Sequence, residues 1–336
     1  AILVPFPVES CLSGIAPQSS ADVVQEMWYR LMFDLSPGQE RTRLHFGAVD
    51  WRATVYLNGL LLGVHTGGYD SFYFDVSTHL QEHGNELLVH VFDPSDSGDQ
   101  PNGKQRASSI SRPRGDQYTP SSGIWQTVWL ESMPRVHIRA VDINQASTSA
   151  VTVSASVMGG DYVNFTVAGA DGAVLAFVRA RAGVAVRIEL PPPVRLWSPW
   201  DPHLYDLQVV ADSGDEVLAY FGLRTFTLSG GPSARPLLNG NFTFLIGLLD
   251  QSWWPDGQYT APSDAALESD VLAARAFGMN LIRLHQKVNP ERWYYHADRH
   301  GVVVFQDMVQ KYGGATAALV PLFVNDLQAM VLGKKN

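Results

Sequence analysis

The first part of the chain alternates apolar and polar residues in short runs, which is the pattern of half-buried β-strands. The run at 42–65 alternates on both sides of Asn58-Gly59. That dipeptide favours a two-residue hairpin, because both turn positions need a positive φ. Further runs with a period of two residues follow at 69–77, 85–93 and 123–131. Turn residues separate these runs at short intervals, so we predict a β-sandwich for residues 1–134.

A long polar stretch interrupts this alternation. Residues 94–123 are rich in Gly, Pro and Ser and show no regular period. A loop of this length inside a compact domain is either functional or disordered. The sequence leaves both interpretations open.

The next part, residues 135–229, is a second β region. Six short alternating runs lie at 136–145, 151–159, 162–169, 173–182, 184–191 and 205–212. Their number and spacing predict an immunoglobulin-like sandwich. A proline-rich segment between the last two runs carries Trp197 and Trp200. The region has no cysteine pair and no catalytic cluster, so we interpret it as a spacer or scaffold.

From residue 230 the pattern changes from strand to alternating strand and helix. Continuous apolar runs, typical of strands buried on both faces, lie at 242–250, 280–285 and 302–308. Segments with helical periodicity follow them at 262–278, 290–301 and 321–333. Residues 230–336 are therefore predicted as βαβαβα, which fits either a doubly wound sheet or a barrel.

Capping residues predict where these helices begin and end. Gly278 and Gly301 suit the position after a helix, because that position takes a left-handed backbone. Asn289 is the predicted N-cap of the second helix and Pro290 its first residue.

Polar residues gather where these three strands end. They are Asp250 and Gln251, Arg283 and His285, and Gln306 and Asp307. In a (β/α)₈ barrel the active site lies at this edge of the strands. Acids, an arginine and a histidine suit a polyhydroxylated ligand, so Asp250, Arg283, His285 and Asp307 are predicted to bind substrate. The alternative is a structural Arg283–Asp307 ion pair beside a hydrogen-bonded structural histidine.

Aromatic residues add a further candidate. The chain has 9 Trp, several of them next to Gly, Pro and Asp, and sugar-binding clefts place aromatic faces against pyranose rings. Trp254, in the loop after the first of the three strands, is our candidate for such a contact. The alternative for any single Trp is packing in the core.

Composition excludes several classes of partner. The net charge is −9 with no basic stripe, so we predict no nucleic-acid partner. No apolar run approaches the ~20 residues of a membrane helix, so we predict no membrane partner. Cys11 is the single cysteine, and without a CxxC or Cys/His spacing we predict no metal ion and no cofactor. The apolar start lacks a basic region and does not read as a signal peptide, which leaves the compartment open.

In this order, the motifs resemble glycoside hydrolase family 2, which includes β-galactosidases, β-glucuronidases and β-mannosidases. The resemblance covers essentially the whole chain. The segments that carry it are FGAVDWRATVYLNGLLLGVHTGGYDSFYFDVSTHL, NELLVHVFD, SGIWQTVWLE, LWSPWDPHLYDL, FGLRTF, LLNGNFTFLIGLLDQSWWP and GMNLIRLH with WYYHADRHGVVVFQDM. It implies a jelly-roll-like sugar-binding sandwich, an immunoglobulin-like sandwich and then the first three βα units of a TIM barrel.

The resemblance also implies a retaining glycosidase, which needs two carboxylates about 5–5.5 Å apart. In the family these are two Glu after the fourth and seventh barrel strands, and neither has a matching position here. No catalytic residue is therefore assigned, and we expect a fragment of a hydrolase acting on β-linked sugars that is inactive alone. The alternatives are a carbohydrate-binding protein that uses the first sandwich, and a structural module.

Two positions depart from the family pattern. Gln117 stands where members often have an Asp that reaches the sugar, with Asp116 beside it. Gln286 stands where many members have a His. We retain Gln117 as a predicted substrate contact and expect a divergent branch. Asp250 and Asp307, on strands one and three, would stand roughly 10 Å apart, near the upper limit for an inverting pair.

Overall fold

The computed structural model describes residues 1–15, 24–35, 40–112, 115–311 and 316–334. The described residues form mainly β-structure, with three α-helices gathered in the last third. None of the described helices is long and apolar enough to span a membrane.

The first region is a β-sandwich. Its strands are β1 (Glu26–Phe33), β2 (Arg41–Phe46), β3 (Val49–Asp50), β4 (Arg52–Leu57), β5 (Leu60–Thr66), β6 (Phe72–Asp75), β7 (Asn85–Phe92), β8 (Gly123–Ile124) and β9 (Val128–Met133). One sheet has the order β1-β7-β4-β5, the other β6-β2-β9, and β3 pairs with β8. Asn58 and Gly59 have φ of 53° and 79°, so the predicted hairpin between β4 and β5 is confirmed.

The second region is a three-on-four sandwich. Its strands are β10 (His137–Gln145), β11 (Ala150–Met158), β12 (Tyr162–Ala168), β13 (Val174–Arg181), β14 (Val186–Glu189), β15 (Tyr205–Ala211) and β16 (Glu216–Phe221). The sheets have the orders β10-β11-β14 and β13-β12-β15-β16. Alternate residues of β12 and β15, such as Phe165 and Val209, are fully buried between them. The six predicted strands are present, and β16 is a seventh that the pattern did not reveal.

A short antiparallel meander follows. Its strands are β17 (Phe226–Leu228), β18 (Pro236–Leu238) and β19 (Asn241–Phe242). The predicted single strand at 242–250 is therefore wrong, because its first residue belongs to the meander. The Asn280 side chain explains the break: it donates to the Phe244 carbonyl and accepts from the Ile246 amide, each at 2.9 Å. A side chain thus takes the place of a neighbouring strand there.

The last region is a parallel sheet with helices between its strands. The elements are β20 (Gly247–Asp250), α1 (Asp264–Ala276), β21 (Leu281–Leu284), α2 (Glu291–His300), β22 (Val303–Gln306) and α3 (Leu319–Gly333). The sheet order is β20-β21-β22, with both pairs parallel. Because parallel strands point the same way, all three end at one edge of the sheet.

The helix boundaries follow their capping residues with one correction. Gly278 and Gly301 take the predicted left-handed backbone, with φ of 78° and 75°. Asn289 is not the N-cap of α2: Pro290 occupies that position without a side-chain cap. The Asn289 amide donates instead to Ser252 Oγ at 2.9 Å, which joins the two loops at the strand ends.

The two faces of the parallel sheet differ. Helices α1 and α2 cover one face, where Ile282 and Leu284 are buried. The other face presents Leu249, Arg283 and Phe305, which stand in register across the three strands. Leu249 is 53% and Phe305 43% exposed. Within the described residues this face is therefore exposed, although continuous apolar runs are typical of strands buried on both faces.

Helix α2 rests on the second sandwich. Trp197 Nε1 donates to the Asp298 carbonyl at 2.7 Å, and the Tyr220 hydroxyl donates to Asp298 Oδ2 at 3.1 Å. Trp197 is buried, whereas Trp200 is exposed. The proline-rich segment thus fixes the parallel sheet against its neighbour.

Candidate functional site

The edge of the parallel sheet carries a group of three side chains, Arg283, His285 and Asp307, which we call the strand-end cluster. Arg283 donates twice to Asp307, from Nε to Oδ1 at 3.1 Å and from a terminal nitrogen to Oδ2 at 2.8 Å. The Arg283 side chain remains half exposed. The Arg283 guanidinium is therefore held by the carboxylate, while its remaining N–H groups face solvent.

His285 completes the cluster as a neutral group. Its Nδ1 lies 3.2 Å from the Gln251 amide nitrogen, which donates, and its Nε2 lies 4.0 Å from Asp307 Oδ2. Burial, followed by the nearby Lys104 ammonium, lowers the pKa of the His285 imidazole. At neutral pH the ring thus offers a polar contact without a positive charge.

Asp250 lies at the same edge but has a local partner. Its Oδ1 accepts from the Ser252 amide at 2.6 Å and its Oδ2 from the Ser252 hydroxyl at 2.8 Å. Ser252 takes a left-handed backbone with φ of 50°, so this pairing stabilises a tight turn. Both carboxylate oxygens of Asp250 thus accept hydrogen bonds from Ser252.

The long loop at 94–123 docks on the strand-end edge. The Asn102 and Gly103 amides donate to the Gln310 carbonyl at 3.2 and 2.9 Å. Lys311 Nζ donates to the Asp96 carbonyl at 2.6 Å. Through these contacts the loop packs against the segment that follows β22; residues 113–114 lie outside the described part. Of the two interpretations left open by the sequence, this placement favours the functional one.

Gly103 is required where the loop meets the sheet. A Cβ at this position would lie 2.5 Å from the Gln286 carbonyl oxygen, and the backbone is left-handed with φ of 57°. Gln286 itself is buried with φ of 61°. Its Oε1 has no hydrogen-bond partner among the described residues. The side chain of Gln286, which stands where many family members have a His, is thus enclosed beside the loop.

Gln117 is on the docked loop, but its side chain turns to a neighbour. Its Oε1 accepts from Arg106 Nε at 3.2 Å. Asp116 forms an ion pair with the buried Lys104, and the charges of both residues act on His285. The structure therefore brings Asp116 and Lys104 towards the strand-end cluster. The role of Gln117 in binding substrate stays a prediction.

The two adjacent tryptophans of this loop region have different surroundings. Trp254 packs against the α1–α2 core, and its backbone forms an isolated antiparallel β-bridge with that of Gln258. Trp253 stacks on Tyr118 of the docked loop, with ring centroids 4.4 Å apart and planes inclined by 18°. Trp254, the predicted sugar contact, thus lies among helix residues, and Trp253 is the aromatic residue that meets the docked loop. The sequence pair WW carries no signal that separates them.

Lys287 is a buried cation that sequence reasoning missed. Its Nζ donates to the Ser252 and Tyr259 carbonyls at 2.7 and 2.8 Å. The same nitrogen lies 4.7 Å from the centroid of the Tyr259 ring and 5.5 Å from that of Trp125. Burial lowers the pKa of Lys287 to about 7. The residue joins the first sandwich, through Trp125, to the loop after β20.

Two large cavities flank this region. One of about 740 Å³ lies between the first sandwich and the three helices, with Trp125, Trp129 and Met330 in its wall. The other, of about 900 Å³, borders β22 and the second sandwich. Arg283, His285 and Asp307 line neither of these two cavities. In the strand-end cluster the Arg283 side chain is half exposed, whereas those of His285 and Asp307 are largely buried.

Two family models match the chain in tandem. The first, described as glycosyl hydrolase 2 galactose-binding domain-like, matches residues 18–129. The second, glycosyl hydrolases family 2, matches residues 133–224. The two matched ranges contain most of the first and second sandwiches.

Curated relatives extend the likeness over most of the chain. A β-galactosidase of Thermoanaerobacter pseudethanolicus is 24% identical over 301 residues, covering 84% of this chain and 39% of the relative. A putative β-glucuronidase of Formosa agariphila is 27% identical over 303 residues, covering 84% of this chain and 27% of the relative. The chain thus spans about two-fifths or less of the length of these relatives.

Solved structures share the fold. The β-glucuronidase of Ruminococcus gnavus superposes with a TM-score of 0.79 at 22% identity, covering 99% of this chain and 59% of that one. The Bifidobacterium dentium β-glucuronidase complexed with coumarin-3-O-glucuronide gives a TM-score of 0.81 at 20% identity, covering 100% and 61%.

Proposed function

The chain belongs to glycoside hydrolase family 2, and from that premise we propose that it is the N-terminal part of an enzyme that hydrolyses β-linked glycosides. The observation that carries the proposal is the tandem match of the two family models to consecutive sandwiches. The relatives are named as glycosidases, which favours a glycosidase over a protein that only binds carbohydrate. β-Galactosides and β-glucuronides are the substrate classes that the relatives' names suggest.

We further propose that β20, β21 and β22 begin a TIM barrel. Three parallel strands with helices between them support this, as does the exposed row of Leu249, Arg283 and Phe305. In a barrel this row would face the interior, which is filled by side chains from the other strands. The domain division that we propose is 1–134, 135–229 and 230–336.

The strand-end cluster is the proposed sugar-binding wall. Half-exposed Arg283, oriented by Asp307, can donate to hydroxyl or carboxylate oxygens of a sugar. Because its Nδ1 accepts from Gln251, neutral His285 carries its proton on Nε2 and can donate from that nitrogen beside it. Both Asp307 oxygens accept from Arg283, and both Asp250 oxygens accept from Ser252. We therefore assign binding and orientation to these groups, and leave proton transfer and nucleophilic attack to a separate carboxylate pair.

The first test is to read the coding sequence beyond the codon for Asn336 and to express the whole reading frame. We expect further βα units that contain two Glu at strand ends. We also expect hydrolysis of p-nitrophenyl β-D-galactopyranoside or the corresponding β-D-glucuronide. A stop codon directly after Asn336, together with no hydrolysis by the expressed chain, would overturn the proposal.

Arg283→Gln tests the sugar-binding wall in that enzyme. A hydrogen bond to a charged group contributes about 1.5–3 kcal/mol, so kcat/KM should fall by roughly 10- to 100-fold. Arg187→Gln is the matched control: Arg187 is also half exposed and pairs with a carboxylate, Glu189, at 2.6 Å, but on the second sandwich. Equal losses in both variants, or no loss in Arg283→Gln, would remove Arg283 from the site.

A further inference from the structure

A second group of polar side chains lies away from the strand ends, between helices α1 and α2. Asp264 and Glu268 are four residues apart on α1, and His296 and His300 are four apart on α2. Residues with this spacing share one face of a helix. The two faces meet, so each imidazole lies against a carboxylate of the other helix.

Three of these side chains converge on one point. His300 Nε2 lies 2.7 Å and His296 Nδ1 lies 3.8 Å from the same oxygen, Glu268 Oε1. All three atoms lie within 4.8 Å of one another. Ligand atoms of a tetrahedral zinc ion stand about 3.3 Å apart, given bond lengths of about 2.0–2.1 Å. Glu268 and His300 are both partly exposed, so small rotations of their side chains would move the three atoms towards that spacing.

The buried imidazole of His296 has an unpartnered nitrogen aimed into this point. Only 3% of the residue is exposed, and its Nδ1 has no hydrogen-bond partner in the part of the chain that the structure describes. Its other nitrogen, Nε2, lies 3.3 Å from Asp264 Oδ1 and can donate there. A ring protonated at Nε2 directs the Nδ1 lone pair at the Glu268 carboxylate, where a cation between them would satisfy both.

Asp264 provides the support that metal-binding histidines usually have. A ligating imidazole almost always donates its second N–H to a carboxylate or carbonyl, which fixes the ring and its tautomer. Asp264 is itself held by two hydrogen bonds from Arg292, each at 2.8 Å. The chain thus contains both the ligands and the group that orients the buried ligand.

We propose that Glu268, His296 and His300 bind a divalent transition-metal ion of the zinc class, with Asp264 as a positioning residue. Two imidazoles and one carboxylate suit zinc or nickel and are a poor match for magnesium or calcium, which prefer oxygen ligands. The ion would join α1 to α2 and leave a further coordination position for water. No metal ion was predicted from the sequence. The His-x₃-His spacing is present in the chain, but the carboxylate comes from another helix.

An arrangement of ion pairs between the helices, without any metal, is the competing interpretation. It explains the contacts of His300 and Asp264, but it leaves His296 Nδ1 3.8 Å from Glu268 Oε1, beyond hydrogen-bond distance. The two interpretations differ in one measurable respect: only the metal site makes stability depend on the concentration of zinc.

Calorimetric titration of the full chain with zinc chloride tests the proposal, together with thermal unfolding in zinc, nickel and magnesium. We expect one zinc ion per chain and a melting temperature that rises with zinc and nickel but not with magnesium. His300→Gln keeps a donor for Glu268 but loses the ligand nitrogen, so affinity should fall at least about 100-fold. Asp264→Asn should lose roughly 10- to 100-fold, the range for residues that orient a ligand.

Two control variants keep the test specific. His83→Gln changes an exposed imidazole that also lies near two carboxylates, Asp34 at 3.5 Å and Glu82 at 3.8 Å, and should bind zinc as the parent chain does. Cys11→Ser removes the exposed thiol and should also bind as before. Absence of zinc binding by the parent chain, or binding that survives in His300→Gln at full affinity, would overturn the proposal.

Discussion

The second sandwich and the C-terminal parallel sheet differ in how they bury their apolar side chains. In the sandwich two sheets cover each other, and Phe165 and Val209 are completely buried between them. In the parallel sheet the helices cover one face only, and Leu249 and Phe305 remain exposed on the other. An antiparallel sandwich thus completes its core within one continuous segment. Parallel sheets normally have both faces covered, and here the second face is open.

The largest expected difference between the two regions is in stability. Phe165→Ala should lower the free energy of unfolding by about 3–5 kcal/mol, because it removes a ring from a closed core. Phe305→Ala removes the same atoms from a half-exposed position and should cost within about 1 kcal/mol. Urea unfolding followed by tryptophan fluorescence measures both. Similar losses in the two variants would show that the open face is covered in solution.

Lys287, at the junction between the first sandwich and the parallel sheet, predicts a dependence on pH. Its pKa is lowered from 10.5 to about 7 by burial, so between these values the unfolded chain binds the additional proton. Stability should therefore rise with pH across this window and fall as pH decreases through it. The slope from this residue is at most about 1.4 kcal/mol per pH unit.

Lys287→Met should remove that slope. The difference in unfolding free energy between variant and parent chain, measured from pH 7 to 10.5, isolates the contribution of this lysine. The variant also leaves the Ser252 and Tyr259 carbonyls without their donor, which adds a loss independent of pH. A pH-independent difference between the two proteins would mean that the lysine is solvated in the native state.

The smallest expected effect concerns association through the open face. Exposed apolar faces and free strand edges promote contacts between chains, so this chain should associate as its concentration rises. Phe305→Glu should weaken that association roughly tenfold in sedimentation experiments, about 1.4 kcal/mol. Phe177→Glu, at an exposed phenylalanine of the second sandwich, is the matched control and should change it little. A monomer with strongly protected amides in β20 and β22 would contradict the prediction.

Local patterns were sufficient for much of the fold. The β4–β5 hairpin follows from Asn58-Gly59, and the ends of α1 and α2 follow from Gly278 and Gly301, because these residues tolerate left-handed backbones that others resist. The error at 242–250 arose because an apolar run does not reveal that Asn280 replaces a strand partner. That contact spans more than thirty residues of sequence.

The residues of the candidate site likewise divide into those that the sequence identified and those that it did not. The strand ends identified Arg283, His285 and Asp307, because parallel strands of a βα repeat end at one edge. Sequence did not distinguish Trp253 from Trp254, since adjacent residues point to different sides only once the loop is placed. It also did not identify Lys287, because an isolated lysine in a sequence reads as a surface residue.

The sequence by itself therefore determined most of the local elements, their order and the family to which they belong. Those properties depend on the periodicity of neighbouring residues and on backbone preferences that each residue carries with it. Only the tertiary structure decided that Arg283 pairs with Asp307, that the loop at 94–123 reaches the strand ends, and that Glu268 meets His296 and His300. Each of these depends on contacts between distant segments, whose geometry is set by how the sheets and helices pack.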